Sequence, residues 1–179
     1  SCGGTKNAFA VEKTAAEKVR GLAVEKLAVN VGGAHGLLYA FDSLYAISGG
    51  VLRLRDTNGD GQFDSVKKLL AINGSGEHGP HAIVLGPQKK WLYVIAGNVT
   101  PVPDDLTRNR IRWAANAKPN PQGWVVRIDP EGKRRELFCV GLRNAYGLAM
   151  HPDGELFTFD SDNEGYMGLP WYRPTNIYH

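Results

Sequence analysis

Gly50-Val-Leu-Arg-Leu-Arg-Asp56 and Gly123-Trp-Val-Val-Arg-Ile-Asp129 are two copies of one pattern: a glycine, a strand-length apolar run carrying arginine, and a closing aspartate. Each copy leads into a turn and then another short apolar run. A second register runs around them. Gly36-Leu37-Leu38 precedes Leu44-Tyr45, His81-Ala82-Ile83 precedes Leu92-Tyr93, and Gly147-Leu148-Ala149 precedes Leu156-Phe157. The Leu–aromatic pairs lie 48 residues apart (44 to 92) and then 64 (92 to 156). The longer interval holds a Pro/Asn/Arg-rich stretch, 99–122, which reads as a long loop. The repeating unit is therefore four short strands in about 45–50 residues, the size of a propeller blade.

Working outward, one blade covers roughly 35–72, a second 80–140, and a third starts near 145 and is incomplete at 179. Leu37–Phe41, Ala82–Leu85 and Tyr146–Met150 are the expected inner strands. Residues 24–29 read as the outer strand of a preceding blade. Residues 1–23 form a polar leader, in which Thr14 and Glu17 make a capping box for a short helix over 14–20. The expectation is an all-β chain: a partial β-propeller of four-stranded antiparallel blades, about half of a closed one. The alternative is a β-sandwich with a chance repeat.

Composition agrees with many short elements. The chain has 179 residues, 42% hydrophobic and 22% charged, with 22 glycines and 10 prolines. That glycine content exceeds the usual ~7%. It argues against long helices and coiled coil. Apolar runs stay far below the ~20 residues of a membrane helix, so no transmembrane segment is expected. A net charge of +3 does not point to nucleic acid. Arg108, Arg110, Arg112, Lys118, Arg134 and Arg135 read as solvated surface. Cys2 and Cys139 are too far apart in sequence for a CxxC or CxxCH motif. The chain reads as a fragment or processed form, and Ser1-Cys2-Gly3-Gly4 could carry a lipid anchor on Cys2.

In a four-stranded meander, the loop entering strand one and the loop between strands two and three share one end. That end collects Ala34-His35, Glu77–His81, Gly97-Asn98, Gly141–Asn144 and 160–164. The opposite end collects Asp56–Asp64 and Asp129–Lys133. Asp56, Asn58, Asp60, Gln62 and Asp64 follow the spacing of an oxygen-ligand calcium loop, with Gly61 at the sharp turn. Position 12 is Lys67 where a bidentate Glu is usual, so a weaker structural calcium site is expected; the alternative is a metal-free turn. Gly74-Ser-Gly-Glu-His-Gly79 spells GxGxxG, but Pro80 and a strand follow, which excludes a dinucleotide loop. His78 and His81 at a blade entrance offer a general base, or two structural histidines bonding loop carbonyls. A zinc site there would need a third ligand. Arg143 and Asn144 occupy the equivalent loop one blade on. They suit an anionic or quinone-type ligand, or Arg143 pairs structurally with Asp160 or Asp162.

Gly141-Leu-Arg-Asn-Ala-Tyr-Gly-Leu-Ala149, followed by Pro152-Asp-Gly154, resembles the signature of the soluble PQQ-dependent glucose/sorbosone dehydrogenases, which are six-bladed propellers. Glu77-His78 followed by Ala82–Leu85 and Gly86-Pro87 resembles that family's catalytic-histidine segment. The resemblance implies His78 as the base that takes a sugar or alcohol hydroxyl proton. It implies Asn98 at the position of the acid that orients the histidine, and Arg143 and Asn144 as quinone contacts. Residues 160–164 fall where the family holds its active-site calcium, with a different local sequence. Ala34–Tyr45, Asp56–Asp64, Gly76–His81 and Pro170–Pro174 are similar to the dehydrogenase-like propeller modules of large secreted bacterial haem-domain proteins. That likeness spans roughly 25–179. It implies PQQ and calcium as cofactors, a c-type haem domain or cytochrome as electron acceptor, and a periplasmic or secreted location. The competing expectation is a non-catalytic propeller module that binds glycan or protein within a larger secreted protein.

Overall fold

The computed structural model describes residues 29–74, 76–104, 106, 122–161 and 175–179. The leader 1–23 with its helix and Cys2, the run 24–28, the basic residues 108–118, Asp162 to Glu164, and Pro170–Pro174 lie outside the described residues.

The described chain is all-β, with one 3-10 turn at Pro87–Lys89. Four strands form the first sheet in simple order: β1 (Leu37–Ala40), β2 (Ser43–Ile47), β3 (Gly50–Arg55) and β4 (Ser65–Ala71). Four more form the second: β5 (Pro80–Leu85), β6 (Leu92–Pro101), β7 (Gln122–Ile128) and β8 (Arg135–Val140). The third sheet holds β9 (Leu148–Met150), β10 (Leu156–Asp160) and β11 (Asn176–Tyr178), ordered β11-β10-β9. Every pairing is antiparallel. All three expected inner strands are the first strands of their sheets, and β5 packs against both β1 and β9.

The repeated Gly and Asp have the same duty in both sheets. Gly50 (φ 144°), at the start of β3, and Gly123 (φ 70°), the second residue of β7, both have positive φ, which glycine adopts without a Cβ penalty. Each lies against the neighbouring chain: a Cβ would stand 2.3 Å from the Leu70 carbonyl oxygen and 1.7 Å from that of Leu142, respectively. The closing aspartates fold the next turn. Asp56 accepts from the backbone N–H of Gly59 (2.7 Å) and Gly61 (2.8 Å). Asp129 accepts from those of Glu131 (2.9 Å) and Arg134.

Two features differ from the sequence reading. Gly97-Asn98 and the first residues of the expected long loop, 99–101, are not loop; they continue β6 with a shifted register, and Pro101 pairs with Gln122. The Trp124 indole N–H fixes this extension by donating to the carbonyls of Thr100 (3.0 Å) and Pro101 (3.2 Å). Conversely, Tyr146 and Gly147 stand outside the third inner strand, which starts at Leu148.

The sheets stack face to face. Leu92, Val94 and Ala96 pack with Tyr45, Ile47, Val51 and Leu70 of the first sheet. Tyr93 and Ile95, pointing the other way along the same strand, pack with Leu142, Ala145, Leu148 and Leu156 toward the third. The second sheet is thus buried on both faces, where a two-layer sandwich would leave one wet. The far face of the first sheet is partly covered by Val29, Val31, Ala34 and Phe63. A polar clasp joins the first two sheets at the other end from the histidines. The Tyr45 hydroxyl (3.1 Å) and Arg53 Nη1 (3.2 Å) both donate to the Pro130 carbonyl, and Arg53 also pairs with Glu131. Burial pushes the Tyr45 hydroxyl pKa up, which keeps it a donor.

Double-sided burial makes a prediction. Leu92→Ala and Ile95→Ala, one on each face of β6, should each cost about 2–5 kcal/mol in chemical denaturation. A near-neutral result at either position would show that its face is wet.

Candidate functional site

Loops from all three sheets meet at the end that holds the entries to β5 and β9. Main-chain bonds tie them together: Gly97 N–H donates to the Gly79 carbonyl (2.8 Å), and Asn98 N–H donates to that of Arg143 (2.7 Å). The approach is close enough to demand glycine at 97. A Cβ there would lie 2.6 Å from both the Asn144 side-chain oxygen and the His78 carbonyl.

Two histidine–asparagine pairs occupy this junction. His78 Nδ1 lies 2.7 Å from Asn98 Oδ1, and His81 Nε2 lies 2.7 Å from Asn144 Oδ1. An amide oxygen only accepts, so the ring nitrogen donates in each pair. The partners are carboxamides rather than loop carbonyls. His78 is half-buried, and its Nε2 is left as the acceptor. His81 is buried, stacks on Tyr146 with ring centroids 3.9 Å apart, and meets the His35 edge at 6.5 Å. The Tyr146 hydroxyl in turn donates to the Glu77 carbonyl (3.0 Å). Burial, followed by the positive fields of His35 and His78, holds the His81 pKa below the usual imidazole value, against the raising effect of its bond to Asn144.

Asp160, at the end of β10, anchors the Arg143–Asn144 loop. Its buried carboxylate accepts the Arg143 N–H (2.5 Å) on Oδ2 and the Asn144 N–H (2.8 Å) on Oδ1. One alternative in the sequence reading paired the Arg143 side chain with Asp160 or Asp162, the latter outside the described residues. In the structure that guanidinium instead donates to the Ser161 hydroxyl (3.0 Å). Asn144 is buried with its oxygen engaged by His81, so a ligand could meet only its amide donors. The sequence offered Asp160 only as a side-chain partner or calcium-loop position; its role as anchor was not legible, because its partners are backbone groups of another turn.

The five expected calcium residues sit together in the exposed β3–β4 connection at the opposite end. The loop is held by its own side chains. Besides the Asp56 bonds, Asn58 Oδ1 accepts from Asp60 N–H (3.0 Å) and Asp60 Oδ1 from Gln62 N–H (2.8 Å). Asp64 takes the N–H (3.0 Å) and hydroxyl (2.7 Å) of Thr57. The backbone bond from Gly61, then those from Gly59, Asp60 and Asn58, lower the Asp56 carboxyl pKa. Among the described residues no group of three His, Cys, Asp or Glu side chains is gathered as a metal site. Elsewhere, Arg134 lies 4.9 Å over the Trp91 ring and Arg135 Nε donates to the Gly132 carbonyl (2.9 Å). Among the described residues no helix is long and apolar enough to cross a membrane.

No family model matches the chain, and no curated protein matches it by sequence.

Two outcomes follow from this geometry. Gly97→Ala forces a methyl group against both pairs and should cost about 1–3 kcal/mol, measured by denaturant titration. Because the folded state lowers the His81 pKa, the unfolded chain binds the proton more readily. Stability should therefore be full above about pH 6.5 and decline as pH falls toward the lowered folded value. His81→Gln should flatten that slope.

Proposed function

We propose that this chain is part of a six-bladed β-propeller that oxidises a sugar or alcohol hydroxyl at a PQQ-type quinone. The observation that carries the reading is the His78–Asn98 pair, with Nδ1 turned to the amide oxygen, on the same end of the sheets as the Arg143–Asn144 loop. The stacking of three antiparallel sheets with neighbouring first strands supports a blade arrangement. So do Phe159 and Ile177, which pair between the middle strand β10 and β11 of the third sheet and are 52% and 78% exposed. In a propeller the next blade would cover them.

In this reading His78 Nε2 accepts the substrate hydroxyl proton while Asn98 holds the ring. A PQQ-type quinone held there would supply the two-electron acceptor for the hydride equivalent that the carbon gives up in becoming a carbonyl. Arg143 offers guanidinium donors beyond the one given to Ser161, a donor set that fits quinone or carboxylate oxygens. Asn144 acts mainly through His81. The Asp56–Asp64 loop, at the opposite end, is a structural calcium site. Electrons leave to a c-type haem domain or cytochrome, in a periplasmic or secreted protein.

The test is reconstitution of the full-length protein with PQQ and Ca²⁺, followed by dye-linked oxidation of aldoses and alcohols. A positioned base contributes ~10²–10⁴-fold, so His78→Ala should lower kcat by at least ~10² and leave quinone binding intact. Arg143→Ala should weaken quinone binding by roughly tenfold or more, since it removes a charge-assisted contact. Failure of quinone to bind would leave the protein as a glycan- or protein-binding module. Calcium is checked separately: Ca²⁺ added after chelation should raise Tm by mass action, and Asp60→Ala should remove most of the rise.

A further inference from the structure

We infer that Asp160 is a positioning residue that locks His78 and His81 in opposite tautomers, with the proton on Nδ1 of His78 and on Nε2 of His81. Two arms run from its carboxylate. On one, Oδ1 holds the Asn144 N–H, and the Asn144 side-chain oxygen receives the His81 Nε2 proton. On the other, Oδ2 holds the Arg143 N–H, the Arg143 carbonyl receives the Asn98 N–H, and the Asn98 side-chain oxygen receives the His78 Nδ1 proton. Each ring therefore presents its other nitrogen as the acceptor: Nε2 for His78 and Nδ1 for His81.

A carboxylate is suited to this junction. The two backbone N–H groups arrive side by side on different oxygens, so a carboxylate meets both in this geometry. An asparagine at 160 would offer one oxygen and oppose the second N–H with an NH₂ group. One arm would then lose its anchor, and the shared turn would shift for both. Asp160 is buried, so water does not replace the lost partner. The other groups near His81 are Tyr146 on its face, His35 at its edge and His78 in the turn before β5. None of them is an anion that would favour a different proton position. The inference deepens the dehydrogenase reading, since it explains which nitrogen of His78 is basic. The hydrogen bonds themselves do not depend on that reading.

The test is long-range ¹H–¹⁵N correlation of the histidine rings in the ¹⁵N-labelled chain above pH 7.5, where no activity is read. A failure of quinone reconstitution therefore does not touch the result. The wild type should show a single Nδ1–H tautomer for His78 and a single Nε2–H tautomer for His81. Asn98→Ala should release His78 alone and Asn144→Ala should release His81 alone. Asp160→Asn should move both rings toward the mixed pattern of an exposed histidine such as His35, without altering the strand amide signals. The reverse tautomer at either ring in the wild type, or unchanged rings in a folded Asp160→Asn variant, would overturn the inference. If Asp160→Asn does not fold, couplings across the hydrogen bonds decide it. The Arg143 and Asn144 amide nitrogens should couple to the wild-type Asp160 carboxyl carbon, and absence of either coupling overturns the proposal.

Discussion

Residues 92–96 are almost wholly inaccessible, and alternate side chains on this one strand enter two different apolar layers. A strand inside a two-layer fold needs only every second position to be apolar. Here both sets are required, so β6 can exist only with a sheet on each side. That demand sets the positions of the first and third sheets and, through them, of every loop at their ends. It also makes the polar contacts between sheets consequential. The clasp of Tyr45 and Arg53 on the Pro130 carbonyl and the histidine–asparagine pairs lie at opposite ends of the same stack.

The candidate site is built from strand ends and the turns beside them, and its parts are not left to find their own conformations. Gly97 admits two backbones at close range, Asp160 gathers two N–H groups, and two carboxamides each hold one imidazole. A buried polar network is stabilising only when its members are satisfied. Here each ring has a carboxamide partner for one nitrogen. The difference between the two histidines is one of burial. His78 is half-buried and able to meet a ligand. His81 lies beneath Tyr146 and serves the packing of the junction. The two residues were indistinguishable as types in the sequence.

The strand pattern was legible because its physical causes are local. Turns need Gly, Asn, Asp or Pro; strands need short apolar runs; and the repeat preserved both. The positive-φ glycines at 50 and 123 and the turn-capping aspartates at 56 and 129 kept the register visible despite an insertion. Two boundaries escaped this logic for nonlocal reasons. The polar residues 97–101 look like loop, but the Trp124 indole holds them extended from another strand. Tyr146 looks like strand, but it is drawn out to stack on His81, 65 residues away in sequence (81 to 146). The outer strand at Asn176–Tyr178 gave no signal, since three exposed residues form a strand only because β10 presents an edge.

Sequence alone determined that this chain is made of short antiparallel strands in a repeating pattern, and which loops share an end of the sheets. Strand alternation and meander connectivity dictate both, and each is written in residue type and spacing. Tertiary structure alone decided how the polar residues on that shared end are wired. Asn98 and Asn144 each took a different histidine, the Arg143 side chain turned to Ser161, and Asp160 bound backbone rather than guanidinium. Hydrogen-bond choices of this kind depend on differences of a few tenths of an ångström between loops of separate sheets. Only the packing of those sheets, transmitted through the buried faces of β6, fixes distances on that scale.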